Sequence, residues 1–179
     1  MANSTANRKK YPYGQGGRNV TLPVDGATHI YDGVMVSQLT ATGMLVPAST
    51  AASGRVIGVA DHEQDNTDGA DAALRCSVAT DQIFLMANGA TTNAFSEASQ
   101  IGSPAYAYDD HTVYDNSNGD TLKFAGYFMG LEPDGAPTAG KVRLLIPAFD
   151  ASAVDEAETG GDVVQSLRAR NVVLANVAD

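Results

Sequence analysis

Apolar residues in the first 150 positions come in short runs, and turn residues separate these runs at short intervals. Alternating apolar and polar positions are typical of half-buried β-strands, whereas Gly, Asn and Asp between the runs mark turns. No helical periodicity of useful length appears before residue 150, so we predict an all-β fold, a compact sandwich or barrel of short antiparallel strands. The predicted strands cover residues 20–22, 34–39, 44–46, 55–60, 72–79, 82–87, 105–108, 112–114, 121–128 and 141–146.

A spacing of glycine and arginine recurs within this strand pattern. In each copy a strand glycine is followed 17 positions later by an arginine. Another glycine precedes the strand glycine, by 25 positions in the first copy and by 24 in the second. Two interpretations stay open: a β-scaffold that is built twice, or the ordinary use of glycine at bulges and turns. The positions are Gly33, Gly58 and Arg75 in the first copy and Gly102, Gly126 and Arg143 in the second.

The ends of the chain differ in composition from the middle. The N-terminal end carries Arg8, Lys9, Lys10 and Arg18 and no acidic residue, which favours a flexible arm that becomes ordered on a partner. Tyr11 and Tyr13, on either side of Pro12, are natural anchors for such contacts. We predict three parts: an extended basic arm over residues 1–18, a β-domain over residues 19–149 and an acidic C-terminal tail over residues 150–179.

The acidic tail is predicted to contain a short helix and a strand. Asp162 can cap a helix over residues 163–170, with Val163, Val164 and Leu167 on one face, and a strand with Val172 and Leu174 follows. A helix of this length is marginal in water on its own. The tail must therefore pack on its own sheet or on a neighbouring subunit, and the Gly160-Gly161 hinge favours the neighbour.

Charge and composition limit the classes of partner. The chain has 11 Lys and Arg against 21 Asp and Glu, a net charge of −10, and an acidic body is a poor nucleic-acid binder. No apolar run reaches the length of a membrane span or follows the basic N-terminus as a signal peptide does, so we expect no membrane partner and no export. Cys76, the single cysteine, is expected to be a small buried apolar residue.

Catalytic and metal-binding motifs do not emerge from the sequence. The three histidines, His29, His62 and His111, are dispersed without zinc-site spacing, and we interpret them as loop or edge residues. The acidic segment 61–71 fails the EF-hand register and is expected to be a solvated loop between strands. Phosphate-binding and nucleophile-elbow signatures are also missing, so we predict no enzyme activity, no cofactor and no metal.

Five segments of the β-domain resemble the small capsid decoration, or head-cement, proteins of tailed bacteriophages. That family carries a Gly-x-x-Val-Tyr strand, then a Gly-Tyr/Val-Ala strand, and ends in Val-Arg-Leu. The resemblance spans roughly residues 26–147 and does not include the arm or the tail. The segments are Gly33-Val34-Met35-Val36, residues 56–60, the run from Gly102 to Asp109, Ala125-Gly126-Tyr127-Phe128 and Val142-Arg143-Leu144.

The resemblance implies a non-enzymatic virion protein, made in the host cytoplasm, that binds the outer capsid surface and cements neighbouring capsomers. Its partners would be the major capsid protein and further copies of itself, often as trimers. The alternative is a carbohydrate- or cell-surface-binding module of a head fibre or tail, which would rely on Tyr106, Tyr108, Tyr114 or Tyr127. The alternation of these tyrosines along the predicted strands favours packing in the core or at an interface instead. We assign capsid and subunit contacts to the arm and the tail, at Arg8, Lys9, Lys10, Tyr11, Tyr13, Arg18, Val163, Val164, Leu167, Val172 and Leu174.

Overall fold

The computed structural model describes residues 3–8, 17–51, 53–119, 121–132 and 140–148, and every structural statement below refers to these residues. The chain divides into two units between Phe149 and Asp150. The helix and strand predicted for the tail lie outside the described residues.

The described chain is all-β, which confirms the predicted fold class. Apart from one 3₁₀ turn at Thr91–Asn93, its regular elements are strands, and no described helix is long and apolar enough to cross a membrane. The strands are β1 Arg18–Pro23, β2 Thr28–Ile30, β3 Met35–Leu39, β4 Leu45–Pro47, β5 Ser53–Ala60, β6 Gln64–Asn66, β7 Arg75–Thr80, β8 Gln82–Asn88, β9 Pro104–Ala107, β10 Thr112–Tyr114, β11 Lys123–Leu131 and β12 Val142–Ile146.

The same strand order occurs twice along the chain. Residues 18–80, which we call the N-repeat, contain a five-stranded sheet of order β1-β7-β5-β3-β4. Residues 82–146, the C-repeat, have the order β8-β12-β11-β9-β10, and pairing of β10 with β8 closes them into a barrel. Strands β2 and β6 form a separate antiparallel pair that has no counterpart among the described residues of the C-repeat.

The two repeats agree in strand register as well as in strand order. Val36 pairs with Gly58 in the N-repeat, and Ala105 pairs with Gly126 in the C-repeat. For each of the five strands, a residue of the N-repeat and its match in the C-repeat are separated by between 64 (84 − 20) and 69 (105 − 36) positions along the chain. These matches are Val20 with Phe84, Val36 with Ala105, Leu45 with Val113, Gly58 with Gly126 and Val78 with Leu144.

Closure of the barrel also has a counterpart in the N-repeat. In the C-repeat, β8 and β10 run parallel and Val113 lies opposite Asn88. The N-repeat has one parallel bridge at the matched place, between Val24 and Leu45. The N-repeat sheet is therefore an incompletely closed version of the same barrel.

Each repeat encloses its own apolar interior, and matched positions are buried in both. Val36 and Ala105 are fully buried, as are Val78 and Leu144. The core of the N-repeat consists of Val24, Ile30, Val34, Val36, Leu45, Ile57, Ala60, Cys76 and Val78. A second core combines the barrel interior with residues from the opposite face of the N-repeat sheet, including Met35, Val56, Val59, Ala79, Phe84, Phe128 and Leu144. The middle of the N-repeat sheet is thus buried on both faces.

The recurring glycines mark a shared structural feature, whereas the arginine spacing does not. Gly58 and Gly126 both lie where the register shifts between neighbouring strands, as at a β-bulge. A Cβ at Gly58 would meet the Ala79 carbonyl oxygen at 2.5 Å, and one at Gly126 would collide with that of Leu145. Arg75 and Arg143 are not matched, because Arg143 corresponds in register to Ser77. The structure therefore favours the first interpretation, a scaffold built twice.

The acidic segment 61–71 differs from the predicted loop, because it contains β6, which pairs with β2. Neither strand was predicted from the sequence. Both are three residues long, and Gln64–Asn66 offers no apolar alternation to reveal it. The side chain of His29 on β2 supports the pairing, since its Nε2 lies 2.8 Å from Glu63 Oε1.

We predict that Gly58→Ala destabilises the protein by about 1–3 kcal/mol, because the added methyl group overpacks β5 against the β7 backbone. Gly54→Ala is the matched control on the same strand, where the nearest atom to an added Cβ is 3.7 Å away. Thermal or urea unfolding of both variants measures the difference. Equal stability of the two variants would show that the close approach at Gly58 does not constrain the fold.

We predict that Cys76 is unreactive in the folded protein. Its side chain is fully buried on β7, and this burial raises the pKa of the thiol to about 11. Because the thiolate is the nucleophile, an aromatic disulfide reagent at pH 8 should react only after denaturant is added. Rapid labelling of the native protein would contradict the buried position.

Candidate interaction surfaces

The turn between β9 and β10 holds the N-terminal segment, residues 3–8, against the β-domain. The Asp110 carboxylate, 1% exposed, accepts the Ser4 backbone N–H at Oδ2 (2.7 Å) and the Ser4 hydroxyl at Oδ1 (2.9 Å). His111 Nδ1 lies 2.7 Å from the same Oδ1. Hydrogen bonds to a charged group are among the stronger ones in proteins, and here they compensate a carboxylate that is removed from water.

The following residues of this segment contact the N-repeat. The Arg8 backbone N–H donates to the Asp32 carbonyl, and the Asp32 N–H donates to the Asn7 side chain at 2.9 Å. Asn7 Nδ2 also donates to Glu63 Oε2 at 2.7 Å, and together with the hydrogen bond from His29 this lowers the pKa of the Glu63 carboxyl. Because Asp110 belongs to the C-repeat, residues 3–8 connect the two repeats, and we call them the N-terminal strap.

Gly33 is required where the strap passes the turn that leads into β3. Its φ of +78° is a conformation that favours glycine, and a Cβ there would collide with the Arg8 carbonyl oxygen. The same turn is bonded to β5, because the Gly33 N–H donates to the Ala60 carbonyl at 3.0 Å. The glycine therefore serves both the entry into β3 and the passage of the strap.

The strap changes the expectation for the first part of the arm. We predicted a flexible arm that orders on a partner, yet residues 3–8 are held by their own domain. Arg8 uses its backbone for Asp32, and its Nε donates to Ser4 Oγ at 3.1 Å. Arg18 is the exposed first residue of β1 and pairs with Thr80. The other predicted contact residues, Lys9, Lys10, Tyr11, Tyr13, Val163, Val164, Leu167, Val172 and Leu174, lie outside the described residues.

The Asp110 turn also contains a group of potential metal ligands. In the described chain, ligand atoms of Asp109, Asp110 and His111 lie within 4.8 Å of one another. Asp109 Oδ1 accepts the backbone N–H groups of His111 (2.9 Å) and Thr112 (2.6 Å), while Asp110 binds the strap. These hydrogen bonds give both carboxylates a structural role in shaping the turn and holding the N-terminal segment.

Half-exposed aromatic side chains cover the outside of the C-repeat barrel. Phe124 makes edge-to-face contacts with Tyr106 and Tyr127, at centroid distances of 6.4 and 5.2 Å. Tyr108 and Tyr114 stack at 4.4 Å on the neighbouring strand ends. All five rings have intermediate exposure, so they are neither core residues nor isolated surface residues. We call the part formed by Pro104, Tyr106, Phe124, Tyr127 and Leu145 the open face.

Sequence reasoning named these four tyrosines as an alternative sugar site, favoured packing in the core or at an interface for them, and did not include Phe124 or Leu145. The available signal was the alternation of aromatic residues along β9 to β11, which placed the rings on one face. It could not show which face of the barrel that was, because inward and outward positions alternate identically.

Comparison with known proteins gives no relative: no family model, no curated protein and no solved structure matches the chain.

We predict that Ser4→Ala lowers the stability of the protein by about 1.5–3 kcal/mol, because the buried Asp110 carboxylate loses a hydroxyl donor. Thr5→Ala, at an exposed strap position, is the control and should unfold like the unchanged protein. Hydrogen exchange of the Asp32 amide, which donates to Asn7, reports directly on release of the strap. Unchanged exchange and stability in Ser4→Ala would contradict the role of the strap.

Proposed function

We propose that this protein is a non-enzymatic structural component of a virion, which binds the outer surface of a tailed-phage capsid and cements neighbouring capsomers. The observation that carries the proposal is the β-scaffold itself, two repeats that share an apolar core within the segment that resembles head-cement proteins. The open face adds a surface for contacts, because its aromatic rings are not fully buried and aromatic residues are enriched at protein interfaces. The resemblance of residues 26–147 to head-cement proteins supplies the identity of the partner, the major capsid protein.

The scaffold suits a structural protein that binds neighbouring capsomers. Two repeats share a core, and the strap forms hydrogen bonds with Asp110 in one repeat and with Asp32 and Glu63 in the other. A stiff body loses little conformational freedom on binding, and a symmetric lattice multiplies weak contacts through avidity. The acidic charge of −10 fits a protein that contacts the shell and not the packaged nucleic acid.

The test is co-sedimentation of the full chain with expanded, undecorated shells of the phage that encodes it, followed by thermal melting of the shells. We expect stoichiometric binding and a higher melting temperature of the shell, because a ligand that binds only the assembled form stabilises it. Absence of binding, or binding without a change in shell stability, would contradict the cement function.

The same assay separates the arm from the scaffold. Deleting residues 1–18 would remove Ser4 and with it the strap, so we use the substitutions K9A, K10A, Y11A and Y13A, which leave residues 3–8 intact. If the arm contacts the shell, this variant should bind at least about tenfold more weakly, a loss of about 1.4 kcal/mol. Unchanged occupancy would remove the arm from the contact and leave the scaffold as the binding part.

Carbohydrate binding is the second candidate, because three tyrosines of the aromatic surface, Tyr106, Tyr108 and Tyr114, are half-exposed on β9, β10 and the turn between them. Tyrosine rings with a polar hydroxyl suit sugar recognition. Binding of the isolated protein to a glycan array, lost in Tyr108→Ala and Tyr114→Ala, would favour this function over cementing.

A further inference from the structure

The matched registers of the two repeats allow the open face to be compared with its counterpart in the N-repeat. Strands β3, β5 and β7 correspond to β9, β11 and β12, so each outward residue of one sheet has a defined equivalent in the other. The equivalents of the open face are Met35 for Pro104, Ser37 for Tyr106, Val56 for Phe124, Val59 for Tyr127 and Ala79 for Leu145.

These equivalent faces differ in burial: the face of the N-repeat is fully covered, and the open face is covered only in part. The five N-repeat residues are at most 4% exposed, and its four apolar members belong to the core that includes the barrel interior of the C-repeat. In the C-repeat, Pro104 is exposed and the other four residues are half-exposed. The face of the N-repeat sheet therefore packs on another part of the same chain. The equivalent open face of the C-repeat has no such partner among the described residues.

The side chains of the open face fit a protein surface. Phe124, at its centre, and Leu145 have no polar atom to offer a sugar, and the edge-to-face packing of Phe124 with its neighbours gives a filled, uneven surface instead of a flat stacking platform. The cations nearest in sequence, Lys123 and Arg143, donate to the carbonyl groups of Thr50 and Leu131. The five residues themselves carry no charge.

The net charge of the chain limits the kind of surface through which two copies can associate. At −10, two copies repel each other unless they meet at a surface that brings no carboxylates together. The open face meets this condition, since its members are uncharged. In addition, the chain already covers the equivalent N-repeat face with a second unit of the same fold, which shows that a surface of this fold can pack on such a face.

We propose that the open face is a self-association surface, on which a second copy of this chain packs. The occupant covers Tyr106, Phe124, Tyr127 and Leu145 as the C-repeat covers their equivalents in the N-repeat. The inference deepens the proposed function, because it names how cement subunits contact one another, but it holds for the protein in solution without any shell.

The experiment is sedimentation equilibrium of the full chain over a wide concentration range. We expect reversible association of the unchanged protein, with a dissociation constant weakened at least about thirtyfold in Phe124→Lys and Tyr127→Lys, as for buried aromatic residues at interface centres. Ala41→Lys is the control, an exposed residue between β3 and β4 of the N-repeat that should leave association unchanged. A strictly monomeric unchanged protein, or association unaffected by both open-face substitutions, would overturn the inference.

A second measurement needs no substitution and so remains decisive if a variant does not fold. Hydroxyl-radical footprinting of the unchanged protein should show Phe124 and Tyr127 oxidised at low concentration and protected at high concentration, while Tyr31 stays equally reactive. Protection that is already complete in the dilute monomer would mean that the chain covers the face itself, and reactivity at all concentrations would mean that no copy does; either result refutes self-association here.

The outcomes also separate this inference from the cement function. Shell binding by a protein that never self-associates would refute the inference and leave the cement function standing. Self-association through the open face without any shell binding would support the inference and refute the cement function.

Discussion

The close approach of neighbouring strand backbones at Gly58 and Gly126 is the constraint on which the structure depends. At each place the register shifts and the neighbouring strand's carbonyl oxygen occupies the space that a side chain would need. A bulge of this kind bends the strand and increases its twist, which lets a five-stranded sheet curl toward closure. Curling gives each repeat an interior, and burial of apolar residues in that interior is the main stabilising contribution.

The outer faces of the two repeats differ in burial because they carry different side chains. Val56, Val59 and Ala79 are small enough to pack closely against the barrel and are buried there. Phe124 and Tyr127 at the matched positions are larger, aromatic and half-exposed. An internal repeat thus yields one face that holds the domain together and one that stays partly exposed among the described residues.

The N-terminal strap shows how a polar segment can stabilise such a body. Its hydrogen bonds concentrate on the Asp110 carboxylate in the C-repeat and on Asp32 and Glu63 in the N-repeat, so it adds a polar connection to the shared apolar core. This arrangement places residues 3–8 on their own domain and not on a partner. The partner contacts predicted for Lys9, Lys10, Tyr11 and Tyr13 stay a prediction.

The sequence by itself determined the all-β class, the approximate position of ten strands and the burial of Cys76, because alternation and turn residues act locally. It indicated a repeat through Gly58 and Gly126 but misled through Arg75 and Arg143, whose equal spacing does not correspond to equal register. Only the tertiary structure decided that polar residues 64–66 form a strand, that Ser4 reaches Asp110, and that the aromatic face points outward. Those features depend on contacts between residues far apart in the chain, and no local pattern of residue types encodes which distant partner each of them meets.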